Sequence, residues 1–364
     1  MIPKTSLAMV QTGHRQLEPR EIAIPEIDDG SAILQIEACG ICGSDYEQFE
    51  GQLPAPLPVI PGHEPLGRIA AIGDGAAARW GVDVGDRVAV ETLLACRSCP
   101  TCVSGHYQRC SDLRVYSLIS TETPPGLWGA YSQYMFLDPG SIVHKMDPGL
   151  PASLAVMFNP LGAGFRWAVE IPGTSVGDSV LIMGPGQRGL ASVIACKQAG
   201  ASQIIVTGLA QDASKLEVAR RFGADHVIDV ENEDLVSRVR ELTGGAGVDV
   251  VVDVSPYATK PVTDAMAVAR RGGTIVLAGI KGDRPVPDFL SDVVVGKELT
   301  IKGATGVTSS GYRAAIRTIE SGAVALESMH THDFRLEDAE LAIRTLAREI
   351  PGDESIHSCI VPEH

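Results

Sequence analysis

From Gly177 to about residue 300, short apolar runs alternate with stretches of helical periodicity. That alternation leaves little room for any fold besides a parallel sheet covered by helices on both faces. Ser179–Met183, Gln203–Thr207, His226–Asp229, Val248–Val254 and Thr274–Ile280 read as strands. Leu190–Ala199 and Ala213–Phe222 read as helices stopped by Gly200 and Gly223, with two more expected near Asp234–Leu242 and Thr259–Ala269.

The first strand of this series runs straight into GPGQRGL and then a helix. A G-x-G-x-x-G motif in that strand-turn-helix setting marks a Rossmann-type, doubly wound α/β unit that binds a dinucleotide. Gly184 permits the tight turn, Gly186 lets a pyrophosphate approach the backbone, and Gly189 lets helix and strand pack closely. The second strand ends at Gly208, where a carboxylate would normally accept the ribose hydroxyls of NAD. Without it a 2'-phosphate is not repelled, and Lys215 could reach one or could be an ordinary solvated residue. NAD and NADP both stay open as cofactors.

Before residue 150 the texture is different, with short strands such as Ala32–Glu37, Gly67–Ile72 and Arg87–Glu91 bounded by Gly, Asp or Pro. This part reads as an irregular, mostly β domain. The expected division is 1–155 with 300–364 for this domain and 156–299 for the dinucleotide-binding one. A chain of 364 residues is long for a single core, so two domains are the natural expectation.

Four of the eight cysteines fall in CRSCPTCVSGHYQRC, giving C-x2-C-x2-C-x7-C through Cys96, Cys99, Cys102 and Cys110. Four thiolates at that spacing close a tetrahedral shell around Zn²⁺ with no open position, which makes the site structural. Disulfides would conflict with a reducing compartment, and four core cysteines with the polar, loop-like surroundings. Cys196 and Cys359 read as small buried hydrophobes. Elsewhere, ACGICGSDYEQFEG offers Cys42 and PGHEPLG offers His63 and Glu64. A thiolate, an imidazole and an oxygen ligand leave a fourth zinc position for substrate, the arrangement for Lewis-acid catalysis.

GHEPLGRIAAIG and GICGSD, together with the four-cysteine lobe, closely resemble the zinc-containing medium-chain alcohol dehydrogenases, in the family's order and over nearly the whole chain. The resemblance implies a GroES-like catalytic domain beside the Rossmann domain. It implies hydride transfer between an alcohol and NAD or NADP, giving an aldehyde or ketone, with one structural and one catalytic zinc. It makes Cys42 and His63 catalytic zinc ligands, Ser44 the carrier of the substrate proton, and Asp45 the hydrogen-bond partner of the far nitrogen of His63.

Three positions depart from the family pattern. In MFNPLGAGFRWAVE the acidic third ligand of many relatives is replaced by Asn159, or by Ala163 if the cysteine form is followed. Asn159 could lend its amide oxygen, Glu64 could swing in, or Asn159 could simply cap a turn before Pro160. Glu47 stands where many relatives carry a histidine that passes the proton to solvent, and it reads equally as a surface residue. Arg188 stands where an aliphatic residue usually lies behind the nicotinamide; it would need an anionic partner there or would turn outward. Trp128, Phe49 and Tyr46 are aromatic candidates for lining the substrate site, with plain core packing as the alternative.

A formal charge of -15 and the lack of a dense basic run argue against nucleic acid as a partner. Residues 1–16 lack the apolar core of a signal peptide and the longest apolar runs are strand-sized, so a cytoplasmic protein with no membrane partner is expected. The family resemblance implies a small-molecule alcohol or carbonyl substrate and a homodimer or homotetramer. The competing readings are a medium-chain reductase without productive catalytic zinc and a non-catalytic nucleotide-binding relative.

Overall fold

A computed structural model describes residues 2–364, which separate into two compact units. One comprises the chain up to Asn159 with Val307–Gly322 and His330–His364, and the other Pro160–Gly306 with Ala323–Met329.

The first unit opens with a hairpin of β1 (Thr5–Gly13) and β2 (Gln16–Ala23). There follow β3 (Ala32–Gly40), helix α1 (Gly43–Phe49), β4 (Pro65–Ile72), β5 (Arg87–Val90), β6 (Tyr134–Leu137) and β7 (Val143–Lys145). β3 runs three residues further than the alternation of AILQIE suggests, because Ala38, Cys39 and Gly40 stay paired in the sheet. That extension delivers the chain directly to Cys42. Ile33, Leu34, Ile36, Ile69, Val88 and Val90 are all buried, each worth about 1.5–3 kcal/mol of burial. Helix α2 (Phe158–Phe165) carries Asn159 in its first turn.

The second unit runs β8 (Ser179–Met183), α3 (Gln187–Ala199), β9 (Gln203–Gly208), α4 (Ala213–Arg221), β10 (His226–Asp229), α5 (Leu235–Leu242), β11 (Val248–Asp253), α6 (Lys260–Val268), β12 (Ala269–Leu277) and β13 (Thr300–Gly303). The strands form one parallel sheet in the order β10-β9-β8-β11-β12-β13. β8 and β11 are the central pair, and Val180–Ile182 and Val250–Val252 are accordingly buried. Two elements begin several residues before the point where the sequence reading starts them. α3 begins at Gln187, since Gly189 is carried in the first turn by packing rather than by propensity. β12 begins at Ala269, because Arg-Arg-Gly-Gly is not a turn: it is accommodated in the strand by a register shift against Val248–Val250, with Arg270 Nε bonded to Asp249.

The chain then supplies α7 (Ser309–Glu320), β14 (His330–Arg335) and β15 (His357–Val361) to the first unit. Its main sheet is ordered β14-β15-β3-β4-β5-β7, with β6 also on β3. β15 thus lies against β3, Cys359 opposite Gly40 and Ile360 opposite Cys39. Among the described residues no helix is long and apolar enough to cross a membrane.

Candidate active site

Cys42 is the residue that caps α1, with extended backbone, at the point where β3 ends. Its N–H donates to Asp45 Oδ2 at 2.8 Å, so the carboxylate satisfies one of the helix's leading amides. The other oxygen of Asp45 lies 3.3 Å from His63 Nδ1. One buried carboxylate therefore both starts the helix and holds the imidazole. His63 follows Gly62, whose φ is +88° and where a Cβ would come within 2.8 Å of the Tyr131 amide nitrogen, so only glycine fits this bend. Nε2 of His63 faces Ser44 Oγ at 3.3 Å, and the His63 carbonyl accepts Thr92 Oγ1 at 2.7 Å.

Ligand atoms of Cys42, His63 and Glu64 all lie within 4.8 Å of one another. Glu64 is fully buried, and its carboxylate fills the space that a Cβ on Gly40 would take. Burial by itself opposes protonation of His63, yet Asp45, followed by Cys42, holds the imidazole well above its ordinary pKa in the metal-free chain. A soft thiolate, an imidazole and a carboxylate on one point form a zinc donor set with room for a fourth ligand. The residues present fit the metal.

Asn159 turns its amide nitrogen to Thr92 Oγ1 at 3.3 Å and Tyr312 Oη at 3.2 Å. It sits within a helix and caps no turn before Pro160. Behind this group, buried Glu91 accepts Tyr107 Oη at 2.6 Å and the Ser309 hydroxyl, and meets His144 Nε2 at 2.8 Å. Burial raises the phenols of Tyr312 and Tyr107 well above their usual range, so both stay protonated. Thr92, Tyr312, Glu91 and His144 were not legible in the sequence: each is a single polar residue with no spacing motif. The reverse holds for the aromatic candidates. Trp128 packs edge-on against Phe136 with its N–H given to Thr123, Phe49 is a core ring beneath Arg15, and Tyr46 donates to Glu349. Glu47 is half-buried one turn after Ser44 on α1.

The four lobe cysteines also lie within 4.8 Å of one another, all as free thiols. Sulfur separations of 3.4 Å (Cys96–Cys110), 3.9 Å (Cys99–Cys110) and 4.0 Å (Cys96–Cys102) approach the edge of about 3.8 Å that four zinc–sulfur bonds of ~2.3 Å require. A hydrogen bond from Thr101 draws Cys99 down to about 5, while burial pushes Cys102 up to about 12. Cys39 is buried within β3, and Cys196 is buried against the Ala168 carbonyl. Cys359 corrects the sequence reading: it is buried but donates to the Asp333 carboxylate at 3.0 Å.

In the second unit, Gly184 has φ +107°, and a Cβ on Gly189 would lie 1.9 Å from the Gly184 carbonyl. Gly186 is different. Its φ is -67° and nothing lies within 4 Å of a Cβ there, so the protein itself does not demand glycine, and the open space suits a phosphate at the start of α3. Arg188 places its guanidinium over the Trp167 ring at 5.6 Å. At Gly208 a Cβ would come within 2.9 Å of Pro185. In the turn that follows, the Leu209 amide donates to Asp212 and the Ala210 amide to Glu231 Oε2 at 2.8 Å. Lys215 is buried on α4, not solvated. Glu231, contributed from beyond β10, had no sequence signal.

Residues 28–148 match the alcohol dehydrogenase GroES-like domain and residues 189–321 the zinc-binding dehydrogenase domain. The chain is 45% identical over 362 residues, 98% of both chains, to a probable alcohol dehydrogenase of Mycobacterium tuberculosis. It is 32% identical to an erythritol/L-threitol dehydrogenase of Mycolicibacterium smegmatis, covering 99% of each chain. The crystal structure of an alcohol dehydrogenase from Thermotoga maritima superposes with a TM-score of 0.89 at 26% identity, over 99% of this chain and 100% of that one.

Proposed function

The chain belongs to the zinc-dependent medium-chain alcohol dehydrogenases, and on that premise we propose that Cys42, His63 and Glu64 hold the zinc at which an alcohol is oxidised to its carbonyl compound. The observation that carries this reading is the convergence of those three ligand atoms within 4.8 Å, with Asp45 at the far nitrogen of His63. Bound there, zinc supplies Lewis acidity at the alcohol oxygen, and a nicotinamide dinucleotide accepts the hydride.

The remaining work belongs to the protein. Asp45 holds the proton on His63 Nδ1, which leaves the Nε2 lone pair for the metal. Ser44 Oγ, 3.3 Å from that same Nε2, takes the substrate proton and passes it toward Glu47, one turn along α1. Asn159 donates from its amide nitrogen to the Thr92 and Tyr312 hydroxyls, and the Thr92 hydroxyl in turn donates to the His63 carbonyl, so this group steadies the backbone of His63. The lobe cysteines take the second, structural zinc. His63→Gln should lose at least about a thousandfold in kcat/KM for alcohol, since Lewis-acid stabilisation is worth several kcal/mol, while keeping the lobe zinc. Activity within threefold of the parent chain would contradict the assignment.

The turn after β9 supports NAD as the cofactor. Asp212 and Glu231 both place carboxylates on its amides, where a 2'-phosphate would seek N–H donors and meet negative charge instead. β13 supports a homodimer. It closes one edge of the sheet with β12 as its only strand partner among the described residues, and Val295, just before it, is 74% exposed; such an edge is completed by the same strand of a second copy.

A further inference from the structure

A third group of metal-binding side chains lies outside both zinc sites, on the paired strands β14 and β15. In a regular strand, residues three apart point to opposite faces. His330 and Asp333 nevertheless face the same way, because the register slips between them: His330 pairs with His357, but His332 pairs with Ser358 and Asp333 with Cys359. Thr331 is the extra residue. Its hydroxyl donates to the His357 carbonyl at 2.8 Å and accepts the Ile356 amide at 3.2 Å, which ties the bulge to the neighbouring strand. A bulge re-aims a side chain, and here it sets His330 and Asp333 beside His357 and Cys359, two residues apart on β15.

The four groups are close and chemically matched. Ligand atoms of His330, Asp333 and Cys359 lie within 4.8 Å of one another. His330 Nε2 and Cys359 Sγ both reach the same oxygen, Asp333 Oδ1, at 3.1 and 3.0 Å. On the other side of its ring, His330 Nδ1 meets Nδ1 of fully buried His357 at 3.1 Å. A cation on Nε2 would leave the Nδ1 proton to be donated to His357, the outer contact that orients metal-binding histidines.

We propose that His330, Asp333 and Cys359 form a binding site for a divalent cation of the zinc class, with His357 positioning His330. Thiol and imidazole together select this class over magnesium or calcium. Zinc bonds of ~2.0–2.3 Å call for ligand separations of about 3.4–3.6 Å, so the cluster opens by a few tenths of an ångström on loading. The cation takes the place of the proton that the Cys359 thiol donates to Asp333. One S–H bond is exchanged for one metal–sulfur bond, and a proton is released. Asp333 is 56% exposed and His330 15%, so the site opens to solvent, and water takes its fourth position.

The test is equilibration of the intact enzyme with Co²⁺ alone, followed by gel filtration, with cobalt counted by elemental analysis and the thiolate–cobalt charge-transfer absorption recorded. The parent chain should retain one cobalt per chain more than Asp333→Ala, and part of its charge-transfer intensity should be missing in Cys359→Ser, with alcohol oxidation equal in all three. Asp333→Ala alters an exposed side chain and keeps the test valid if Cys359→Ser fails to fold. Equal cobalt retention in the parent and Asp333→Ala, or charge-transfer spectra that do not differ between parent and Cys359→Ser, would overturn the site and leave the cluster a hydrogen-bond network. Because the readout is a difference in metal count, it stands whether or not Cys42, His63 and Glu64 hold the catalytic zinc.

Discussion

Asp45 shows how much a single side chain can settle. Its buried carboxylate caps the helix that begins at Cys42 and sits 3.3 Å from His63, so the pattern C-x-x-D couples the start of a helix to the orientation of an imidazole. Glu231 matters in the same way at the other end of the chemistry. We predict that Glu231→Ala raises kcat/KM with NADP by about tenfold or more and changes that with NAD by less than about threefold, because juxtaposed like charges cost several kcal/mol. Steady-state kinetics with both cofactors decide it; an unchanged NADP value would remove Glu231 from cofactor selection. The residues legible in the sequence are those held by local spacing: Cys42 with Asp45, His63 with Glu64, the lobe cysteines, and Gly184, Gly186 and Gly189. Thr92, Tyr312 and Glu231 reach their places through pairings of 67 residues (Thr92 to Asn159), 153 residues (Asn159 to Tyr312) and 21 residues (Ala210 to Glu231), which no local pattern encodes.

At the level of elements, the alternation of strand and helix after Gly177 was readable because the central strands β8, β9 and β11 are largely buried on both faces and the first two helices end at glycines with positive φ, Gly200 at +87° and Gly223 at +108°. Reading failed where tertiary contacts override local preference. Arg270–Gly273 looks like a turn and is a bulged strand held by Asp249, and the slip at Thr331 is invisible until His330 is seen opposite His357. The outer strand β13 yields a prediction of its own. Light scattering after size exclusion should give a mass of at least two chains, and Ile301→Pro, which removes an edge amide and bends the strand, should shift it toward one. A monomeric parent chain would contradict strand-edge assembly.

For the whole molecule, the chemistry is divided between units that fold on different principles. The first draws its site from residues far apart in sequence: α1 with its cap Cys42, the segment before β4 with His63 and Glu64, Thr92 after β5, and Tyr312 on α7 all contribute. The second holds its dinucleotide motif within one β8–turn–α3 crossover. This explains why the dinucleotide motif is written compactly in the sequence, whereas the proposed zinc site is not: Glu64 adjoins His63 in the chain, but only folding brings these two within 4.8 Å of the Cys42 thiol. If zinc at Cys42, His63 and Glu64 drives alcohol oxidation, its removal must abolish activity. Timed chelation of the Asp333→Ala chain, following zinc per chain and alcohol oxidation with NAD together, measures this. We predict two zincs at the start, loss of one in step with activity, and recovery of both on adding Zn²⁺. Undiminished oxidation after that zinc has gone would contradict the claim.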